Sequence, residues 1–370
     1  MDEEDYIFKY KIKNYREVFD IINGRDNYND LRGNFIFRGI SDKEYELKPS
    51  SLRKNSKLNE FMLSKDMIGI NIPKDIAVER GFVTDNQELH YINKDYIYLE
   101  LDKYFKFPNG VELNDYVSRN ELQIRKEITI LMIFLNYADK CGLKVPFSNE
   151  IRKFIDNNQY YDNLEYWPTE NFYELIALAQ HYDVPTRFLD WSYDYKVSLY
   201  FAVKDILKFN EDDYKEKDGV LWGLNYNLFN IPFHKNNSNE TFKLQFYRPE
   251  YNSNPNLSSQ KGILTVILND KLNEDKMALD KAVINDFHKN DKIRYMNNKM
   301  KRTHGFKTKD IPEGEKVFYK FIIPERFKAK ILNELYNEGY SEEYLFPGYQ
   351  SVTENIKNRV ILDELPLKYK

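Results

Sequence analysis

Two kinds of apolar pattern alternate irregularly along the sequence, and their order limits the folds that the chain can adopt. Buried-strand patterns are predicted at residues 34–39, 219–224, 262–268 and 316–323. Helical patterns lie between and after them, at residues 121–142, 171–182, 190–207 and 324–339. The long gaps between strands do not fit a regular repeat of strand, helix and strand. We therefore predict an α+β fold with a small mixed or antiparallel sheet packed with helices.

The chain has 370 residues, which is long enough to bury a sizeable core, and no repeat or low-complexity linker divides it. Aromatic residues make up 16% of the sequence, far more than a disordered chain carries. We predict a single domain over residues 1–370, with its core in residues 34–53 and 121–357. Residues 54–120 mix short apolar clusters with charges and turn residues, and we predict an irregular insertion there.

Charge and cysteine content limit the compartment and the partners. The formal net charge is −4, so the whole chain has no general attraction to nucleic acid or to an anionic membrane. The single cysteine, Cys141, indicates a reducing compartment. The longest apolar run, residues 130–135, is far shorter than the roughly 18 residues of a spanning helix, and residues 1–12 lack the apolar centre of a secretory signal. We expect a cytoplasmic protein without a membrane partner.

One segment, residues 289–309, concentrates positive charge. Its basic residues are Lys289, Lys292, Arg294, Lys299, Lys301, Arg302, Lys307 and Lys309. Two interpretations stay open. The segment is either a contact strip for nucleic acid, in which Tyr295 and Phe306 stack on bases, or a solvated loop.

Polar side chains crowd residues 178–193, where a predicted helix ends, a proline turn follows and the next helix is predicted to begin. They are Gln180, His181, Thr186, Arg187, Asp190, Trp191 and Ser192. One interpretation is structural: Asp190 or Ser192 caps the next helix, Arg187 pairs with Asp190, and His181 bonds a carbonyl. The other is a ligand or catalytic site, because titratable groups cluster there. Arg38, at the end of a buried strand, favours the second interpretation, since a charge there is costly unless it is paired or meets a ligand.

Several parts of the sequence together resemble the FRG domain family. They are Phe37-Arg38-Gly39, Pro49-Ser50-Ser51-Leu52-Arg53, residues 179–192 with Tyr200-Phe201-Ala202, and residues 259–264 and 345–348. Asp183 stands where Gly is usual in this family, and Ser192 where Thr is usual. The family occurs in bacteria and phages, often in settings that suggest defence or toxin systems, and it has no settled activity. The resemblance therefore implies a biological setting rather than a reaction.

The order of elements also resembles the arginine class of ADP-ribosyltransferases, which implies a related fold and chemistry. In this resemblance Arg38 holds a phosphate or ribose of NAD through its bidentate fork, while an aromatic ring stacks on nicotinamide. Ser192 matches the second segment of the class, and Gln260 matches the first position of the third. Gly262 stands where the class has its catalytic Glu, so a carboxylate would have to come from Asp190, Glu342 or Glu343.

Three functions follow as alternatives. The first is an NAD-using, ADP-ribosyltransferase-like effector in a toxin or antiphage setting, the second is a module that senses a nucleotide or nucleic acid without chemistry, and the third is a nuclease. The predicted catalytic residues are Arg38, His181, Asp190 and Gln260. The predicted ligand-binding residues are Phe37, Gly39, Tyr182, Arg187, Trp191, Ser192 and Tyr200. We expect NAD as the ligand, a protein target or regulator as a further partner, and no metal, because the five His are scattered.

Overall fold

A computed structural model describes most of the chain. The described residues are 6–24, 31–53, 56–61, 68–73, 91–93, 96–101, 119–146, 149, 151–153, 167–208, 215–229, 244–249, 255–268, 278–289, 316–366 and 369. Contacts divide the chain into two compact units. Unit 1 comprises Met1–Lys48, Leu189–Ile267 and Ala278–Lys370, and unit 2 comprises Pro49–Phe188 and Leu268–Met277. The two units are defined by contacts, whereas a family domain is defined by sequence. The division into units therefore does not test the single FRG-type domain over residues 1–370, which stays a prediction.

The secondary structure of the described residues is as follows. The strands are β1 (Ile7–Lys11), β2 (Phe35–Ile40), β3 (Ile68–Pro73), β4 (Tyr91–Asn93), β5 (Tyr96–Leu101), β6 (Leu189–Ser192), β7 (Gly219–Asn225), β8 (Leu244–Tyr247), β9 (Gly262–Ile267) and β10 (Phe318–Ile323). The α-helices are α1 (Glu17–Ile22), α2 (Arg119–Lys140), α3 (Tyr173–His181), α4 (Tyr195–Val203), α5 (Pro255–Ser259), α6 (Leu279–Lys289), α7 (Glu325–Asn337), α8 (Glu342–Leu345) and α9 (Tyr349–Glu364).

Unit 1 is built on a seven-stranded mixed sheet in the order β1-β10-β7-β2-β6-β9-β8. β1 runs parallel to β10, and every other neighbouring pair in this sheet is antiparallel. Each face carries its own apolar cluster, because side chains alternate between faces along a strand. Phe37 and Phe321 belong to the cluster that includes α4 and α7, and Ile36 and Trp222 belong to the other. This sheet, packed with helices, confirms the predicted α+β class.

Unit 2 contains α2, α3 and a smaller antiparallel sheet in the order β3-β5-β4. These three strands lie within residues 54–120, where an irregular insertion was predicted. Ile68, Ile70 and Ile72 alternate with Gly69 and Asn71, and the whole of β3 pairs with β5. The alternation is only six residues long and its polar positions carry no charge, so the sequence pattern was too weak to indicate a strand.

The predicted start of a helix near residues 190–192 is wrong. Leu189–Ser192 is the strand β6, which pairs with β2 on one side and with β9 on the other. The helix α4 begins at Tyr195, and Asp194 is its N-cap, with the carboxylate accepting from the Lys196 backbone N–H at 3.0 Å. Asp and Ser are also typical of helix starts, but the backbone hydrogen bonds to β2 and to β9 hold Leu189–Ser192 as a strand.

For the preceding helix the sequence predicts Asn171 as the N-cap with Glu174 as its partner, and this prediction is also wrong. A 3₁₀ turn, Glu170–Phe172, leads into α3, whose N-cap is Phe172 and has no side-chain cap hydrogen bond. Burial of Phe172 fixes this helix start instead of a polar cap.

Two further findings concern possible partners. Within the described ranges, every helix is too short or too polar to cross a membrane. The basic segment 289–309 lies outside the described residues, apart from the backbone of Lys289 at the end of α6.

Candidate functional site

The Phe37-Arg38-Gly39 tripeptide lies on β2, where this strand touches helix α4. Phe37 is fully buried, and its carbonyl accepts a hydrogen bond from the Ser198 hydroxyl at 2.8 Å. A Cβ on Gly39 would lie 1.7 Å from the Ser198 carbonyl oxygen and 2.7 Å from the Ala202 nitrogen, so only glycine permits this close approach. Phe37 and Gly39, both predicted ligand-binding residues, therefore hold the strand against the helix.

Arg38 lies between them and points to the opposite face of the sheet. Its Nη1 donates to the Asp190 carbonyl oxygen at 2.6 Å and lies 3.6 Å from the Asp190 carboxylate. The Arg38 side chain is 17% exposed and that of Asp190 is 61% exposed. The structure therefore brings two predicted catalytic residues together, with the guanidinium held by main chain and the carboxylate in solvent.

Ser192, two residues after Asp190 on β6, pairs with Phe37 of β2 and meets Gln260, which precedes β9. The Ser192 hydroxyl donates to the Gln260 carbonyl oxygen at 2.6 Å and accepts from the Asp194 backbone N–H at 2.9 Å. The Gln260 side chain donates to the Leu345 carbonyl oxygen at 3.2 Å. Gln260 lies in the turn before β9 rather than on the strand. Both polar side chains are thus bonded to main chain.

Gly262, the first residue of β9, packs against helix α5. A Cβ at this position would lie 2.3 Å from Cδ1 of Leu257, so a larger side chain would have to displace that leucine. Apolar packing therefore occupies the position at which the resemblance to the ADP-ribosyltransferase class implied a Glu.

Trp191 and Tyr200, two other predicted ligand-binding residues, lie in the core of unit 1. The Trp191 indole N–H donates to the Thr265 hydroxyl at 2.8 Å. The Tyr200 hydroxyl donates to Glu342 at 2.6 Å, and burial together with this bond raises the pKa of Tyr200 far above its usual value. Both rings are almost fully buried, as is usual for aromatic side chains whose polar atom has found a partner.

Glu342, considered above as an alternative acid, is committed elsewhere. Its carboxylate also accepts hydrogen bonds from Tyr336 and Asn358, and it is buried. These donors, together with Tyr200, satisfy a charge that would otherwise be costly in the core. Glu342 therefore fixes α8 against α7 and α9.

Arg187 belongs to unit 2 and makes a buried ion pair that the sequence analysis did not predict. Its Nε lies 2.5 Å from Oε2 of Glu127 on α2, and both side chains are 5% exposed. The same carboxylate oxygen accepts from the Trp167 indole at 2.8 Å. The structural interpretation had Arg187 paired with Asp190; the structure shows Arg187 with Glu127 and Asp190 with Arg38. An acid among the apolar residues of α2, next to Ile128, is the signal that indicates a buried partner for Arg187.

A cavity of about 10 Å³ adjoins this ion pair, lined by Glu127, Arg187, Trp167 and apolar residues of α2 and α3. This volume corresponds to about one water molecule. Arg187 is therefore directed into the interior of unit 2.

The Pro49–Arg53 segment and the proline turn at residues 184–187 form one hydrogen-bonded structure in unit 2. The Thr186 backbone N–H donates to the Ser50 hydroxyl at 3.0 Å, and the Ser51 N–H donates to the Thr186 carbonyl oxygen at 3.1 Å. The Thr186 hydroxyl donates to Gln180. These hydrogen bonds join two short segments that lie far apart in the sequence.

His181 and Tyr182 lie at the C-terminus of α3, also in unit 2. The His181 ring packs edge-on against the Tyr182 ring, with 4.9 Å between centroids. His181 is half-buried and Tyr182 is exposed. The predicted site residues thus fall into two sets. Unit 1 holds Phe37, Arg38, Gly39, Asp190, Trp191, Ser192, Tyr200 and Gln260, and unit 2 holds His181, Tyr182 and Arg187. No group of three His, Cys, Asp or Glu side chains among the described residues could hold a metal ion.

Comparison with known proteins agrees with part of the sequence analysis. Residues 129–211 match the family model described as FRG domain, which covers most of α2, all of α3, β6 and α4, and the proline turn between them. The Phe37-Arg38-Gly39 tripeptide lies outside the matched residues. No curated protein and no solved structure matches the chain.

Proposed function

We propose that this chain, which carries an FRG domain, binds NAD beside Arg38 and transfers the ADP-ribosyl group to a macromolecule in a toxin or antiphage setting. One observation carries the proposal: β2 with Arg38, β6 with Asp190 and Ser192, and β9, which follows Gln260, are consecutive neighbours in the sheet. A site built from three segments far apart in sequence requires them to be neighbours, and these three are.

The side chains of Arg38 and Asp190 suit the phosphate and the ribose of NAD. Arg38 is partly exposed and has the planar fork that matches phosphate. When bound, NAD would supply the glycosidic bond that breaks. The exposed Asp190 carboxylate, 3.6 Å from the guanidinium, would stabilise positive charge that develops on the ribose. Asp190 would thus supply the carboxylate that Gly262 cannot supply.

A second candidate function is nucleotide binding without chemistry, and a specific observation favours it. Gly262 is packed against Leu257, while the Ser192 hydroxyl and the Gln260 amide are bonded to main chain. A module that only binds a ligand needs Arg38 but needs no further acid or base near it.

The test is incubation of the purified full chain with NAD labelled in its adenine, with protein, RNA and DNA as acceptors. We expect nicotinamide release and label transfer by the wild type. Arg38→Ala should lose both binding and turnover, whereas Asp190→Asn should bind NAD and lose turnover by about 100-fold or more. Glu354→Gln, at an exposed acid on α9, is the matched control and should behave as the wild type.

The outcomes separate the two candidates. Saturable binding of NAD without any product would reject transfer and support the binding module. Turnover that survives Arg38→Ala would contradict both, because each of them places the ligand at this guanidinium.

A further inference from the structure

The apolar side chains of helix α9 face solvent instead of the core. Tyr349, Val352, Ile356 and Val360 are all exposed, by 95% for Tyr349 and 62% for Ile356. Their spacing of three and four residues places them on one side of the helix. Among the described residues ten large apolar side chains are exposed, and four of the ten lie in this row. We call the row the α9 stripe.

The opposite side of α9, which packs against the rest of unit 1, is mostly polar. Three of the sixteen residues of the helix are buried, namely Asn355, Asn358 and Leu362. Asn358 donates to the buried Glu342 carboxylate at 2.6 Å, and the Asn355 side-chain oxygen has no hydrogen-bond partner in the part of the chain that the structure describes. A surface helix normally turns its apolar stripe to the core. Packing within one chain therefore does not account for the α9 stripe, and an exposed apolar row of this kind marks an interaction surface.

The spacing within the α9 stripe is symmetric about its centre. Val352 lies four residues before Ile356, and Val360 lies four residues after it. If two copies of α9 pack antiparallel around a two-fold axis at Ile356, each Ile356 meets its own copy and each Val352 meets the second copy's Val360. Rows at four-residue spacing are also the ridges that most often interlock between packed helices. The stripe is thus complementary to itself, as the surface of a two-fold dimer must be.

The charges on α9 favour the same arrangement. The exposed charged residues of the helix are Glu354, Lys357, Arg359, Asp363 and Glu364. In the antiparallel pair these five positions lie level with uncharged residues of the second copy, which are Asn358, Asn355, Thr353, Tyr349 and Gly348. In a parallel pair each charge would lie level with its own copy, and like charges placed opposite each other are unfavourable. Three acids against two bases also give α9 no attraction to an anionic membrane.

We propose that the α9 stripe binds the same stripe of a second copy of this chain, with the two helices antiparallel and Ile356 at the two-fold axis. Burial of the apolar side chains of both copies drives the association. The inference is independent of NAD, because α9 contributes none of the residues proposed to act at Arg38.

The first test is sedimentation velocity of the full chain, at concentrations from about 1 to 100 μM, and we expect a dimer that forms as the concentration rises. Ile356→Glu places two carboxylates at the axis and should weaken dimerisation by about 100-fold or more. Leu143→Glu makes the same kind of change at an exposed apolar residue outside α9. This variant is the matched control and should dimerise as the wild type does.

The second test is disulfide cross-linking with copper phenanthroline as the oxidant, in a Cys141→Ser background that removes the native thiol. Ile356→Cys should cross-link with itself, because the two copies of this residue meet at the axis. The two copies of residue 352 lie eight positions apart along the pair, about 12 Å, which is too far for a disulfide. Val352→Cys should therefore cross-link only when it is mixed with Val360→Cys.

Each outcome supports or overturns the inference. A dimer that Ile356→Glu disrupts and Leu143→Glu retains supports it. A wild type that stays monomeric up to about 100 μM would overturn it, and binding of that monomer to phosphatidylcholine vesicles would assign the stripe to a lipid surface instead. A dimer that survives Ile356→Glu, or one in which Val352→Cys cross-links with itself, would also overturn it. If Ile356→Glu does not fold, a dimer in which Ile356→Cys fails to cross-link still refutes the inference.

Discussion

Gly39→Ala tests the contact between β2 and α4 that explains the tripeptide. The added Cβ would lie 1.7 Å from the Ser198 carbonyl oxygen and 2.7 Å from the Ala202 nitrogen. Both obstacles are backbone atoms of one helix, so no side-chain rotation relieves them. The strand and the helix must move apart instead.

The size of the effect follows from these distances. An ordinary contact between a carbon and another heavy atom is about 3.5 Å, so the helix must retreat by roughly 2 Å. Overpacking of a core costs about 1–3 kcal/mol when side chains can adjust. Because α4 buries Val197, Leu199 and Tyr200 and cannot adjust locally, we expect the free energy of unfolding to fall by about 3 kcal/mol or more.

The assay is urea unfolding followed by circular dichroism, with Gly33→Ala as the matched control. A Cβ on Gly33 meets nothing within 4 Å, so this variant should stay within about 1 kcal/mol of the wild type. If Gly39→Ala unfolds at the same urea concentration as Gly33→Ala, the close contact between β2 and α4 does not exist and the explanation is refuted.

Two further predictions concern charged groups. Glu127→Gln removes the carboxylate that faces the buried Arg187 guanidinium and should destabilise the protein by about 3 kcal/mol in the same unfolding assay; a change below about 1 kcal/mol would contradict the buried pair. Burial alone would raise the pKa of Asp218, but hydrogen bonds from Lys43 and Lys11 outweigh it and hold this pKa below its usual value. The stabilisation is then present above about pH 4 and is lost as the pH falls through the lowered pKa, so the stability difference between wild type and Asp218→Asn should shrink on acidification. A difference that grows below pH 4 would refute this assignment.

The elements that could be predicted from the sequence are those with long apolar patterns. The fully buried strand β7 and the long helix α2 were placed within a few residues of their observed bounds. β6 could not be predicted, since it is four residues long and its strand form depends on pairing with β2 and β9. A capping residue inside a strand is the kind of local signal that tertiary pairing overrides.

The candidate site shows the same limit. The sequence indicates that Arg38 and Asp190 are candidate site residues, but only the structure shows that they contact each other. The contact between Ser192 and Gln260 carries no local signal either, because β6 and β9 become neighbours only in the folded sheet. Register over long sequence separations is set by the whole sheet.

The most direct test of the central claim is a calorimetric titration of NAD into the wild-type chain and into Arg38→Ala. If the ligand site lies at Arg38, the wild type binds NAD saturably and the variant binds at least tenfold more weakly, since a charge-assisted contact to phosphate is lost. Equal affinity in the two proteins, or no binding by the wild type, would contradict it.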